Sequence, residues 1–248
     1  MDLGIEGRCA VVGAASEGLG LETARALAEE GARVLLVSRS REKLDVALAQ
    51  LGPPASAHVA DLATAEGART AVEHALATLG RVDILVANVG GPPPGLATGL
   101  DLDALRASLD RCLLAMAQLC QGVLPGMRER RWGRILAITS TGVRHPLPGM
   151  VYSNASRAGL TGYLKTLARE VFADGVTVNS LLPANQVTQR LRSLVGARFD
   201  DFLASLPGGR GGDPSDFGRI AAFLCSESAK YLTGVALSVD GGTDAGLI

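Results

Sequence analysis

A glycine-rich turn near the start of the chain has the residue types and spacing of a phosphate-binding site. A short apolar run at residues 9–12 (CAVV) leads into the turn at residues 13–20 (GAASEGLG), and an apolar helical pattern follows. In such a strand–turn–helix unit, backbone N–H groups and the positive end of the helix face a bound phosphate. Gly18 and Gly20 allow close approach of a ligand and close packing of helix on strand. The arrangement predicts a dinucleotide site.

Ser38 and Arg39 follow the second predicted strand, where the choice between NAD and NADP is made. An acidic residue there would bind the ribose hydroxyls of NAD, whereas the Arg39 guanidinium suits the 2′-phosphate of NADP. The alternative for Arg39 is a solvated side chain opening the next helix. Glu17 argues against NADP because its carboxylate would repel a phosphate, unless it pairs with Arg39. The sequence favours NADP and leaves NAD open.

Seven strand patterns alternate with helical patterns and must position these residues. The predicted strands are residues 9–12, 33–37, 56–60, 82–86, 133–138, 176–181 and 235–239. After the helix of the glycine turn, helices are predicted at 41–51, 65–79, 102–127, 151–172 and 216–225. The alternation implies a single-domain α/β fold over residues 1–248, a Rossmann-type doubly wound parallel sheet. Ligands bind such sheets at the carboxyl ends of the strands.

The composition of the 248 residues argues against several other classes of protein. The net charge is −1 and the basic residues are dispersed, so we expect no nucleic-acid partner. No apolar run reaches membrane-spanning length, so we expect no membrane partner and a cytoplasmic location. Four cysteines (Cys9, Cys112, Cys120 and Cys225) are scattered without metal-ligand spacing, so we expect no metal site.

Short motifs are spread along the whole chain in a regular order. They are Gly18-Leu19-Gly20, Asp61-Leu62, Asn88-Val89-Gly90, Ser140, Asn179, Pro183, Tyr231-Leu232-Thr233-Gly234 and Val239-Asp240-Gly241-Gly242. In order and spacing they resemble those of the short-chain dehydrogenase/reductase family, and within it the 3-oxoacyl-acyl-carrier-protein reductases. The resemblance implies a nicotinamide cofactor, hydride transfer to or from a carbonyl or alcohol carbon, and a homo-oligomer, either tetramer or dimer.

The resemblance also indicates which residues bind the cofactor. They are Gly13, Ser16, Gly18, Leu19, Ser38, Arg39, Asp61, Leu62, Asn88, Gly90, Arg157 and Pro183. Asp61 is expected to accept from the adenine amino group, and Asn88 to position the backbone near the adenine ribose. For both, the alternative is a residue that caps the turn after a strand. Asn179 is expected to tie neighbouring loops together.

The chain departs from the family pattern at the positions that matter for chemistry. Ala14 stands where the family has the first glycine of its turn. Thirteen residues after Ser140, Ser153 stands at the position of the family's Tyr, and Arg157 stands at that of its Lys. Cys112 falls at the position of an Asn in the central helix. Of the four usual catalytic side chains, Ser140 alone remains.

These changes remove the usual proton donor. A phenol with a pKa near ~10 becomes usable beside a Lys ammonium, whereas a serine hydroxyl is a far weaker acid. Arg157 supplies positive charge and hydrogen bonds but passes no proton. Because Ser153 and Arg157 are four residues apart, they share one helix face. Tyr152 could turn inward as a substitute or could be a packed aromatic side chain; His145 could approach a substrate or lie on a surface loop. The candidate catalytic set is therefore Ser140, Ser153, Arg157 and Tyr152.

Residues 185–212 read as a lid over the substrate, because the segment is rich in glycine and follows a strand end. Its apolar side chains, expected to form a wall, are Leu191, Leu194, Phe199, Phe202 and Leu203. The loop at residues 90–95 (GGPPPG) either borders the same pocket or is a rigid connector. An apolar lid predicts a small-molecule substrate with an apolar portion.

Three functions fit these observations. The first is an NADP(H)-dependent oxidoreductase, a carbonyl reductase or 3-oxoacyl-reductase-like enzyme, with a non-standard catalytic site. The second is a non-redox lyase, dehydratase or isomerase in which Ser140, Ser153 and Arg157 bind an oxyanion. The third is a cofactor-binding subunit without turnover.

Overall fold

A seven-stranded parallel sheet forms the centre of the molecule in a computed structural model that describes residues 2–244 and 246. The strand order is β3-β2-β1-β4-β5-β6-β7, and every neighbouring pair is parallel. The strands are β1 (Cys9–Gly13), β2 (Arg33–Ser38), β3 (Ser56–Val59), β4 (Ile84–Ala87), β5 (Gly133–Ile138), β6 (Val176–Pro183) and β7 (Ala236–Val239). The order reverses between β1 and β4, and a ligand crevice opens at such a switch point. The predicted single-domain, doubly wound α/β fold is confirmed.

Helices cover both faces of the sheet. They are α1 (Gly18–Glu29), α2 (Arg41–Leu51), α3 (Ala65–Leu79), α4 (Leu102–Leu109), α5 (Ala115–Glu129), α6 (Val151–Val171), α7 (Gln189–Val195), α8 (Phe199–Ala204) and α9 (Pro214–Leu224). One hydrophobic core lies under α3, α5 and α6, and the other under α1, α2 and α9. Both faces of β4 and β5 are buried, as expected for a parallel sheet covered on two sides. Among the described residues, no helix combines the length and apolarity needed to cross a bilayer.

The central helix differs from its prediction as one regular helix over residues 102–127. Asp101 caps α4 through its Oδ1, which accepts from the backbone N–H groups of Asp103 and Ala104 at 2.9 and 3.3 Å. Between α4 and α5 the chain makes a π-helical turn, Asp110–Leu114, that contains the buried Cys112. Such turns are rare and are found mainly at functional sites. Hydrophobic periodicity does not reveal them, since the apolar face continues through the turn.

Candidate active site

The glycine-rich turn joins β1 to α1 at the switch point. A Cβ on Gly20 would clash with the Ala14 carbonyl, and one on Gly13 would clash with the Asn88 carbonyl. Gly18 has a φ of +61°. The backbone therefore fits only glycine at these positions, and it leaves the surface of the turn open for the close approach of a phosphate.

Ala14 keeps the turn in shape although it replaces a glycine of the family pattern. Its φ is +46°, in the left-handed region that an L-residue rarely adopts. An alanine there costs roughly 1 kcal/mol relative to glycine. The Asn88 side chain donates through Nδ2 to the Gly13 carbonyl at 3.1 Å and so ties the end of β4 to the end of β1. The turn therefore contains local backbone strain at Ala14.

The charges around Ser38 and Arg39 are arranged differently from the sequence prediction. The Ser16 and Ser38 hydroxyls are 2.9 Å apart, so the turn and the end of β2 are joined. Glu17 pairs with Lys43 Nζ at 2.9 Å and not with Arg39, because Lys43 on the first turn of α2 reaches across to it. Lys43 therefore lies beside the glycine-rich turn. Within the described residues Arg39 has no ion-pair partner, and it is exposed.

The remaining cofactor candidates lie along the same crevice. Asp61 is exposed and accepts from the Ala63 N–H through Oδ1 at 3.0 Å, so it caps its turn. Leu62 is buried beneath Gly13. Gly90 has open space where a Cβ would stand, and Pro183 ends β6 opposite Val239. A role of Asp61 toward adenine remains a prediction beside the turn cap that is observed.

Asn179 has the structural role expected from the sequence. Its side-chain Nδ2 donates to the Leu232 carbonyl at 2.8 Å, and its Oδ1 accepts from the Val235 N–H at 3.1 Å. These bonds tie β6 to the segment leading into β7, so that prediction is confirmed.

Ser140 follows the carboxyl end of β5, and Arg157 on α6 donates to the last residue of that strand. Ser140 Oγ accepts from the Gly142 N–H at 3.1 Å, which leaves the hydroxyl proton free to donate to a ligand. Ser153 and Arg157 are both buried on one face of α6. Arg157 Nη1 donates to the Ile138 carbonyl at 2.8 Å, which holds the guanidinium two residues before Ser140 on the same strand end.

Arg157 is a buried cation without a carboxylate partner in the described part of the chain. Its side chain is 7% exposed, and burial lowers its pKa from the ordinary value of an arginine. The nearby Cys112 raises this pKa, whereas the positive charge of Arg190 lowers it further. Cys112 lies in the π-helical turn, and Arg190 lies in the segment at residues 185–212.

Tyr152 is not turned toward Ser140 as a substitute proton donor. The ring packs on Gly95, and its hydroxyl oxygen accepts from the Asp101 N–H at 3.2 Å. The side chain therefore fixes the start of α4 against the start of α6. Tyr152 is thus a packed aromatic residue, and we do not include it in the proposed catalytic set.

His145 lies beside a cavity that opens after Ser140. Its Nδ1 is 2.7 Å from Asp244 Oδ1. The pKa of the Asp244 carboxyl is lowered, mainly because the Gly246 N–H donates to it and to a smaller extent because His145 does. The cavity, of about 400 Å³, is lined by Thr141, His145, Leu147, Thr243, Asp244 and Gly246. No sequence pattern pointed to Asp244, which is about one hundred residues from His145 along the chain.

The segment predicted as a lid contacts both the glycine turn and the loop at residues 90–95. Thr188 caps α7 and lies next to Gly18, where a Cβ would be 3.7 Å from its methyl group. Arg190 donates to the carbonyls of Gly91 and Pro92 at 3.5 and 3.2 Å. The loop therefore borders the crevice. The sequence analysis missed Arg190, since an arginine on a surface helix is usually solvated.

The expected apolar wall of this segment forms only in part. Phe199 is buried, with the Arg192 guanidinium 4.3 Å from its ring centroid. Leu194 is 52% exposed and does not line a wall, because α7 is short and turns that side to solvent. Within the described residues, no group of three or more His, Cys, Asp or Glu side chains could hold a metal ion.

A parallel sheet with a glycine turn at its switch point, and with polar side chains on the next strand ends, defines a Rossmann-type nucleotide-binding protein. Comparison with known proteins refines this class. Residues 13–244 match the family model described as Enoyl-(Acyl carrier protein) reductase. The chain is 32% identical to 3-oxoacyl-(acyl-carrier-protein) reductase FabG of Vibrio cholerae over 240 residues, 97% of this chain and 98% of the relative.

Other relatives extend the likeness. Dehydrogenase/reductase SDR family member 4 of Sus scrofa is 35% identical over 248 residues, 96% of this chain and 88% of the relative. The crystal structure of L-sorbose reductase from Gluconobacter frateurii, complexed with NADPH and L-sorbose, superposes with a TM-score of 0.94 at 32% identity and full coverage of both chains. The chain belongs to the short-chain dehydrogenase/reductase family, a family of oxidoreductases.

Proposed function

We propose that the protein is an NADP(H)-dependent oxidoreductase of a small molecule with an apolar portion, and that its catalytic site is non-standard. The site comprises Ser140, Ser153 and Arg157, with serine and arginine in place of the family's Tyr and Lys. We further propose a cytoplasmic homo-oligomer, tetramer or dimer, on the family resemblance alone.

The residues of the crevice fit a nicotinamide dinucleotide. The turn presents backbone N–H groups to a phosphate. Gly13 and Gly20 permit this shape because a Cβ at either position would clash with the carbonyl of Asn88 or Ala14. The NADPH in the complex of L-sorbose reductase supports the same choice of cofactor. When bound, the cofactor supplies hydride exchange between its nicotinamide ring and a substrate carbon.

The protein groups at the end of β5 would act on the substrate oxygen. Ser140 is free to donate its hydroxyl proton in a hydrogen bond to a carbonyl oxygen and so orients it. Arg157 has five N–H donors, and one of them donates to the Ile138 carbonyl. The others remain to stabilise negative charge that develops on the substrate oxygen. Ser153, four residues before Arg157 on α6, adds a second buried hydroxyl.

The absence of a phenol at Ser153 sets the expected rate. Loss of general-acid help costs roughly 10²- to 10⁴-fold, whereas orientation of the reactants still accelerates hydride transfer. We therefore expect turnover that is slow for the family but measurable. Product formation without a change in nicotinamide absorbance would instead support the non-redox alternative.

The single observation that carries the choice of NADP is the charge pattern at the end of β2. Lys43 neutralises Glu17, and Arg39 is left exposed with no ion-pair partner in the described residues. A 2′-phosphate would therefore meet a guanidinium and no unpaired carboxylate. Charge-assisted, forked hydrogen bonds of this kind are the strong ones.

Fluorescence titration with NADPH and NADH tests the proposal through Arg39→Asp. The wild type is expected to bind NADPH more tightly, and Arg39→Asp to weaken NADPH binding at least about tenfold, roughly 1.4 kcal/mol. NADH binding should change little, because it carries no 2′-phosphate. Arg41→Asp is the matched control, since Arg41 is exposed and contacts Asp45 at 3.7 Å.

Two results would contradict the proposal. Equal weakening of both dinucleotides by Arg39→Asp would remove Arg39 from cofactor choice. If neither dinucleotide binds the wild type, the oxidoreductase assignment of this chain's site fails.

A further inference from the structure

Arg157 lacks a counter-charge, and this distinguishes it from an ordinary buried arginine. Arg157 is only 7% exposed. Within the described residues, its side chain makes one hydrogen bond, to the neutral carbonyl of Ile138. A buried charge is costly unless it is paired and hydrogen-bonded. Cys112, the other polar neighbour, is a thiol that brings no carboxylate.

A second unpaired guanidinium approaches from the lid. Arg190 lies on the first turn of α7 and contacts the Gly91 and Pro92 carbonyls at 3.5 and 3.2 Å. Gly91 permits this contact, since a Cβ there would meet Arg190 Nη2 at 2.6 Å. Arg190 has no carboxylate within 4 Å among the described residues. It is held at the loop that follows β4, and Arg157 is held at the end of β5, the neighbouring strand. The positive charge of Arg190 lowers the pKa of the Arg157 guanidinium.

Arg157 lies apart from the phosphate-binding turn, whereas Arg190 is two residues after Thr188, whose methyl group faces Gly18 of that turn. Arg157 lies at the end of β5, beside Ser140, whereas the turn follows β1. The sheet order puts β4 between them, so the two strand ends are about 10 Å apart at the usual strand spacing. A ligand group at Arg157 is on the substrate's side of the crevice.

We propose that Arg157 and Arg190 together bind a carboxylate of the substrate, so that the enzyme acts on an oxo acid or hydroxy acid. This rests on the proposed function and names the substrate class of the same site. A guanidinium matches a planar carboxylate through two parallel N–H donors, so the buried Arg157 and the exposed Arg190 could both donate to such an anion. The carboxylate supplies the negative charge that the protein does not, and Arg190 would join it when the lid segment covers the substrate.

The test compares acetoacetate with ethyl acetoacetate, an anion and its neutral ester, as oxidants of NADPH. In the wild type the ratio of kcat/KM for the acid to that for the ester should favour the acid. Arg190→Gln should lower this ratio about 10- to 100-fold, the loss expected when a charged hydrogen-bond partner is removed. Arg192→Gln is the matched control, because Arg192 lies on the same helix but stacks on Phe199, and it should leave the ratio within about twofold.

Calorimetric titration of acetoacetate into the protein gives a readout that does not need turnover. Acetoacetate binding that is lost in Arg190→Gln and kept in Arg192→Gln supports the carboxylate site, even if NADPH does not bind. Failure of NADPH to bind would contradict the proposed function alone. The inference is overturned if acetoacetate does not bind the wild type, or if the ratio is unchanged in Arg190→Gln. A loss of NADPH affinity in Arg190→Gln at constant ratio would assign Arg190 to the cofactor phosphates and would also overturn it.

Discussion

The two ends of the sheet treat buried charge in opposite ways. At the amino end, the fully buried carboxylate of Asp83 accepts from Arg81 Nε at 2.9 Å and from the Cys9 N–H at 3.0 Å, and it lies 3.4 Å from Arg130 Nε. At the carboxyl end, Arg157 has no carboxylate among the described residues. The paired charge joins β1, β4 and the end of α5 and serves the fold.

Arg134 makes the contrast sharper because it is the same residue type as Arg157. It is 2% exposed, lies 3.6 Å from Glu227, and donates to the carbonyls of Ser226 and Gly133 at 3.1 and 2.9 Å. Its guanidinium also sits 4.3 Å from the Trp132 ring. A buried arginine with a structural role is thus surrounded by partners from the chain itself. We infer that Arg157 is kept for a partner that arrives with the ligand.

The largest loss of stability is expected for Asp83→Asn at the amino end. The amide leaves the guanidinium groups of Arg81 and Arg130 without a charge partner. Removing one member of a wholly buried pair costs roughly 3–5 kcal/mol, and here we expect about 2 kcal/mol because both arginines reach solvent. Chemical denaturation measures the change in the free energy of unfolding.

Asp45→Asn is the control for this change. Its partner Arg41 is 3.7 Å away and both side chains are exposed, so the loss should stay below about 0.5 kcal/mol. If Asp83→Asn lowered the free energy of unfolding as little as Asp45→Asn, the stability of the amino end would not depend on its buried ion pair. The contrast between the two ends of the sheet would then fail.

A smaller effect on stability, with a large effect on binding, is expected for Gly20→Ala at the carboxyl end. The added methyl group meets the Ala14 carbonyl, so overpacking should cost about 1–2 kcal/mol and displace the turn. NADPH affinity, measured by fluorescence titration, should fall at least about tenfold. In Gly162→Ala on α6, a Cβ meets nothing within 4 Å, and both quantities should be unchanged or slightly improved.

Unaltered NADPH binding in Gly20→Ala would show that the turn does not approach the pyrophosphate closely. In that case the carboxyl end would be shaped for packing like the amino end, and its unpaired charge would need another explanation.

The sequence was sufficient for the fold and for the glycine turn, because both rest on local signals. Apolar strands such as residues 84–87 and the spacing of Gly18 and Gly20 encode them directly. The pairing of Lys43 with Glu17 and the hydrogen bonds of Arg190 to the loop at residues 90–95 depend on how distant segments pack, and no periodicity predicts them. The sequence left the orientation of Tyr152 open between two alternatives for a related reason.

A rotation of about 100° between adjacent helical residues decides whether Tyr152 or Ser153 faces the crevice. The start of α6 fixes that rotation, through the bonds of the Gly95 backbone to Gly149 and Val151. The sequence indicates candidate residues for the site, whereas the orientation of each depends on contacts made by loops.

The measurement that tests the central claim most directly is the effect of Arg157→Met on both stability and ligand binding, with Arg134→Met as its matched partner. Because Arg157 has no counter-charge, the free energy of unfolding of Arg157→Met should stay within about 1 kcal/mol of that of the wild type, the value of one hydrogen bond. Acetoacetate binding and turnover should fall at least about 10²-fold. Arg134→Met should lose about 2 kcal/mol and leave binding intact. A loss of several kcal/mol in Arg157→Met with unchanged acetoacetate binding would contradict the account, since Arg157 would then be structural.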